Sequence, residues 1–112
     1  MENFQYSNPK LQIITNDPIK YIEDYYPCWS PDSKKIAWLS INRKVNPETG
    51  LWVMKADGSE KKQFTDFAQY PSWSPDGHQI VYSAFLEDSV GAKNEALWLI
   101  NADGSNKRSL IF

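Results

Sequence analysis

The sequence predicts an all-β chain: two antiparallel, four-stranded propeller blades plus one extra N-terminal strand, part of or assembling into a larger propeller. Three observations carry this. The stretch YPSWSPDG at 70–77 is matched by YPCWSPDS at 26–33, so that Pro27 recurs as Pro71, 44 positions on. A second block, LWVMKADGS at 51–59, recurs as LWLINADGS at 97–105, with Trp52 matched by Trp98, 46 positions on. Each unit holds four short β-like runs separated by turn residues and shows no helical periodicity. A repeat in the mid-forties with four strands per unit is the pattern of a propeller blade.

Residues 1–10 read as a loose, polar lead-in closed by Asn8-Pro9. Residues 11–25 read as an orphan strand, LQIIT at 11–15, followed by a linker opened by Asn16-Asp17-Pro18. The orphan strand is similar to KQFT at 62–65 and to KRSLI at 107–111, which end the two repeats. Glu23 and Asp24 have no acidic match at 67 and 68, so they read as local features of a solvated loop. The first blade repeat spans 26–65, with strands expected near 26–30, 35–40, 50–55 and 61–65. The second spans 70–112, with strands near 70–74, 79–84, 96–101 and 107–111.

Turn chemistry sets these divisions. In Ser74-Pro75-Asp76-Gly77, serine suits the first position of a type I turn, proline the second and glycine the fourth. Ser30-Pro31-Asp32-Ser33 keeps three of these, and a positive φ at Ser33 costs about 1 kcal/mol. Ala56-Asp57-Gly58 and Ala102-Asp103-Gly104 are hairpin turns whose glycine accepts positive φ. The long middle connections, 41–49 and 85–95, differ completely between the copies. Where a scaffold repeats and one loop does not, function is expected on the loop. Trp29 matches Trp73, Trp52 matches Trp98 and Trp38 is answered by Tyr82, which reads as packing between blades.

Composition narrows the function classes. The chain is 41% hydrophobic and 14% aromatic, as a folded domain is, and its net charge of −2 gives no basic patch for nucleic acid or an anionic membrane. The pairs Arg43-Lys44, Lys61-Lys62 and Lys107-Arg108 read as solvated edge charges. One cysteine, Cys28, excludes an internal disulfide, and its match with Ser72 marks it as a small packed residue. The N-terminus lacks a basic region followed by ~7–15 apolar residues, so it does not read as a secretory signal. No run approaches the ~18 apolar residues of a membrane span.

The chemistry of an enzyme is not visible. There is no G-x-S-x-G nucleophile elbow and no Gly-rich phosphate cradle. His78, the one histidine, follows the Pro-Asp-Gly turn at an exposed strand start, unsuited to general-base work. A lone histidine makes no zinc site, and Asp57 and Asp103 are explained by their turns. No catalytic, cofactor-binding or metal residue is assigned.

With these residues in view, the chain resembles the PD40 (WD40-like) repeats of the TolB-like β-propeller family. The match is the Trp-Ser-Pro-Asp-Gly turn with its following strand, and the strand ending in Ala-Asp-Gly-Ser; it covers roughly 11–112. The resemblance implies a propeller of about six four-stranded blades, a periplasmic or extracytoplasmic location and work by protein–protein contact. It also implies that the motif residues are structural. Two repeats and a spare strand are fewer than a closed propeller. Each outer blade face should therefore need cover, and copies of the chain are expected to close a ring. The leading reading is a non-catalytic protein-binding scaffold acting through 41–49, 85–95 or the channel mouth. One alternative is part of the propeller of a serine peptidase or polysaccharide-processing enzyme with its chemistry elsewhere. Another is a truncated gene fragment or repeat array without evolved function.

Overall fold

The computed structural model describes residues 21–110. The lead-in, the strand expected at 11–15 and the last two residues lie outside the described part. Within it, β1 (Ile22–Trp29), β2 (Lys35–Asn42), β3 (Gly50–Lys55) and β4 (Lys62–Thr65) form one antiparallel sheet in sequence order. A second sheet repeats the arrangement with β5 (Gln69–Trp73), β6 (Gln79–Glu87), β7 (Lys93–Asn101) and β8 (Arg108–Ser109). A short 3₁₀ turn, Asn46–Glu48, folds the connection between β2 and β3.

The repeated motifs build repeated turns. Ser33 N–H donates to the Ser30 carbonyl and Gly77 N–H to the Ser74 carbonyl, both at 2.9 Å, closing the two type I turns. Ser30 Oγ accepts from Lys35 N–H at 2.9 Å and donates to Asp32 Oδ1 at 2.7 Å. Ser74 does the same with Gln79 N–H at 3.0 Å and Asp76 Oδ1 at 2.6 Å. The serine hydroxyl thus ties the turn to the next strand, and the aspartate receives both the hydroxyl and a backbone N–H. Those two bonds hold the Asp32 and Asp76 carboxyls below the usual range. In the second motif Asp57 and Asp103 accept the backbone N–H of Ser59 and Ser105 at 2.9 Å, with Gly58 and Gly104 at φ 88° and 89°.

The first strand of each sheet carries the same bulge. Pairing jumps from Tyr25–Leu39 to Cys28–Ala37, and from Gln69–Ser83 to Ser72–Val81. Tyr26 and Pro27 thus share one position opposite Trp38, as Tyr70 and Pro71 do opposite Tyr82. Proline has no N–H for the ladder, so the bulge falls where the loss is cheapest. Tyr26 and Tyr70 take φ of 56° and 55°, and their rings meet across the two sheets at 4.5 Å.

The core lies between the sheets. Ala37, Leu51 and Val53 of the first sheet and Ile80, Tyr82 and Ile100 of the second form one buried cluster, closed by Ala68, with Trp73 and Trp98 packed against it. Trp73 Nε1 also donates to the Cys28 carbonyl at 3.0 Å, binding β5 to β1. The opposite face of the first sheet carries a second cluster of Ile36, Trp38 and Met54 with Trp52 against it. Of the matched aromatics expected between blades, Trp73, Tyr82 and Trp98 pack there, whereas Trp38 and Trp52 pack on the opposite face of the first sheet. Trp29, the counterpart of Trp73, is 55% exposed.

The sheets are larger than the sequence indicates. Residues 22–25, read as linker, are strand, and Phe85–Glu87 and Lys93–Glu95, read as connection, extend β6 and β7 as a regular ladder. Glu23 and Asp24 are thus not a solvated loop: Glu23 pairs with Ile41 and holds Arg43 at 2.7 Å, and Asp24 pairs with Ser40. Their lack of a counterpart in the other repeat hid the strand.

Two substitutions test this local account. Ser33 sits at φ 63° where Gly77 sits at φ 76°, so Ser33→Gly should raise stability by about 1 kcal/mol in denaturant unfolding. No gain would mean that the serine is unstrained. Gly50 occupies the position of Ala96, yet a Cβ there would meet the Thr65 carbonyl oxygen and the Asp66 backbone. Gly50→Ala should accordingly lower stability by about 1–3 kcal/mol, against the expectation from the repeat that alanine is harmless.

Candidate functional site

The strand order sends the four tight turns, 30–34, 56–61, 74–78 and 102–107, to one rim of the paired sheets. The opposite rim receives the connections 43–49, 66–68 and 88–92. The variable connections thus stand together on a rim of their own, as a short β4–β5 link requires. Apolar side chains are exposed there: Val45, Phe85 and Val90, the last 85% exposed. Phe85 stacks on Phe67, with ring centroids 6.3 Å apart and planes 18° apart.

Beneath this rim a cleft of about 370 Å³ opens between the blades. Its floor holds Tyr82 and Trp98, facing each other across the β6–β7 ladder. Thr65, Asp66 and Lys107 form one wall, and Phe67 and Phe85 another. Lys107 Nζ donates to Thr65 Oγ1 at 3.1 Å, lies 4.0 Å from Asp66 Oδ1 and stands over the Trp98 ring at 5.9 Å. Thr65 Oγ1 in turn donates to Asp66 Oδ1 at 3.1 Å. Tyr82 is 1% exposed, and burial pushes its hydroxyl pKa up to about 12, with Thr65 pulling the other way. Thr65 nonetheless stands outside hydrogen-bond geometry: Tyr82 Oη and Trp98 Nε1 are both buried without a partner among the described residues.

The first blade has the matching cleft, lined by Trp38, Trp52 and Lys61 in the places of Tyr82, Trp98 and Lys107. There the polar groups are satisfied. Trp38 Nε1 donates to Asp24 Oδ1 at 2.9 Å, and Trp52 Nε1 to the Glu48 carbonyl at 2.9 Å. The 3₁₀ turn brings Glu48 within reach, and Asn42 anchors that connection by accepting the N–H groups of Lys44 and Val45 at 3.1 and 2.8 Å.

The other residues singled out by sequence lie away from this rim or serve structure. His78 is on the tight-turn rim, its ring largely exposed and 3.5 Å from the Asp76 carboxylate. Cys28 is half-buried in β1, a free thiol. Asp57 and Asp103 shape their turns. Among the described residues no three acidic, cysteine or histidine side chains gather as a metal site, and no helix is long and apolar enough to cross a membrane.

Comparison with known proteins places this architecture. No family model matches the chain. A Tol-Pal system protein TolB of Alcanivorax borkumensis is 32% identical over 69 residues, covering 59% of this chain and 14% of that protein. An uncharacterised protein of Agrobacterium fabrum is 29% identical over 91 residues, covering 76% of this chain and 30% of that one. Among solved structures, TolB of Acinetobacter baumannii matches with a TM-score of 0.62 at 22% identity, over 80% of this chain and 21% of that one. A structure assigned to TolB of Agrobacterium tumefaciens matches at 0.61 and 24% identity, over 79% and 33%. A chain of a nidogen–laminin complex matches at 0.58 and 16% identity, over 79% and 31%. The chain thus spans a third or less of the length of each of these proteins. These likenesses show the fold of β-propeller blades, and over 69 residues the chain is similar in sequence to a TolB.

Proposed function

We propose that the chain is a non-catalytic, protein-binding propeller scaffold that presents its variable rim to a partner. One observation carries this: the connections that differ between the repeats, and the exposed Val45, Phe85 and Val90, share one rim, while the repeated turns occupy the other. A rim of exposed apolar side chains beside polar loops is the make-up of a protein contact surface rather than of a reaction centre. The likeness to a TolB and to a chain of a nidogen–laminin complex supports the reading, and the TolB likeness supports an extracytoplasmic location.

The reading includes self-association. Val81, Leu97 and Leu99 on the outer face of the second sheet stand at the repeat positions of Ala37, Leu51 and Val53, which cover the second blade within the chain. Leu97 is 55% exposed. The first sheet of another copy offers Trp29, Ile36 and Met54 in the places of Trp73, Ile80 and Ile100, so the contact inside the chain can be repeated between chains and close a ring.

A photoreactive residue placed in turn at Val45, Val90, Leu97 and Lys34, in cells, tests both parts. The expected result is a partner adduct of one mass from positions 45 and 90, a doubled chain from 97, and neither from 34 on the turn rim. Equal labelling at 34 and 90 would contradict a dedicated binding rim, and no doubled chain from 97 would contradict self-association.

A further inference from the structure

The two clefts stand at matching places in the repeat, and among the described residues only the first has its donors paired. In the first blade a carboxylate, that of Asp24, meets Trp38 Nε1, and a peptide carbonyl, that of Glu48, meets Trp52 Nε1. In the second blade the matching positions hold Tyr82 and Trp98, whose Oη and Nε1 are buried without an acceptor among the described residues. Both acceptors are lost for structural reasons. The counterpart of Asp24 is Ala68, a fully buried core residue. The connection that should supply the carbonyl is drawn away, because β6 and β7 stay paired out to Glu87 and Lys93 and turn only at Asp88–Ala92. Buried donors left without acceptors are costly, and native sites resolve that cost with water or a ligand.

We propose that the cleft between the blades binds an acidic peptide segment of a protein partner, one aspartate or glutamate carboxylate and a neighbouring peptide carbonyl taking the places that Asp24 and Glu48 fill in the first blade. Tyr82 and Trp98, paired across β6 and β7, line the cleft together with Lys93 and Lys107. Asp66 and Glu87 line the same cleft, so the wall is balanced in charge and selection falls to the buried donors. Phe67 and Phe85 offer an apolar wall to the peptide chain. This inference rests on the reading of the rim as a protein-binding surface and names the chemistry of its partner.

The test is an NMR titration of the folded chain, following its five tryptophan indole N–H signals. The probes are acetyl-Gly-Asp-Gly-amide and acetyl-Gly-Asn-Gly-amide at millimolar concentration. The Asp peptide should shift the Trp98 indole signal saturably and leave Trp52 unmoved, with the Asn peptide weaker. Tyr82→Phe, which removes a hydroxyl without a partner among the described residues, should keep the melting temperature and weaken the Asp peptide about tenfold or more, the loss of one hydrogen bond to a charged acceptor. An unmoved Trp98 signal, an equal response to both peptides, or an unchanged affinity in Tyr82→Phe would overturn the proposal and leave the cleft to water. Cross-links at positions 45 and 90 that persist with no peptide response would defeat this inference alone; a peptide response without those cross-links would defeat the broader rim reading and leave the cleft.

Discussion

The packing of Ala37, Leu51 and Val53 against Ile80, Tyr82 and Ile100 is the contact on which the rest of the structure depends. A single four-stranded sheet of this size has no interior, and its apolar residues are removed from water only when another sheet lies on them. Each large side chain buried there contributes about 1.5–3 kcal/mol, so the face outweighs the turns, whose hydrogen bonds are individually near 1 kcal/mol. The turns fix register, and register decides which residues reach that face. The indole of Trp73, bonded to the Cys28 carbonyl, then fixes how far one sheet slides on the other.

That packing also creates the cleft. The bulges at Tyr26-Pro27 and Tyr70-Pro71 interrupt the first strand of each sheet, and the short link 66–68 joins the two sheets at the rim. Tyr82 is therefore carried into the core by its strand while its hydroxyl ends at the cleft floor. In the first blade the chain supplies oxygen acceptors to the same floor. Among the described residues, the matching donors of the second blade, Tyr82 Oη and Trp98 Nε1, have no such acceptors.

Much of the fold was legible in the residues. Ser-Pro-Asp-Gly and Ala-Asp-Gly-Ser state their turns chemically, and the matched aromatic positions mark the packed faces. What escaped was whatever one repeat has and the other lacks. Asp24 reads as loop because its counterpart is Ala68, although it is a strand residue that bonds Trp38. Phe85–Glu87 and Lys93–Glu95 read as connection because 85–95 is polar and differs from 41–49, yet the ladder continues through them. The cleft had only a faint signal, the absence of an acid at 68 where 24 has one. Whether a buried donor finds an acceptor depends on the path of a connection, which turn residues alone do not specify.

Amide hydrogen exchange on the chain and on Ile80→Ala tests the shared face most directly. Ile80 lies in the second sheet, and its truncation leaves a cavity in the face at a cost of about 2–5 kcal/mol. If the two sheets are stable only through each other, protection should fall together in β2 and β3 of the first sheet and in β6 and β7 of the second. Loss confined to β5–β8, with β2 and β3 protected as before, would show that the first sheet stands without the second and would contradict the account.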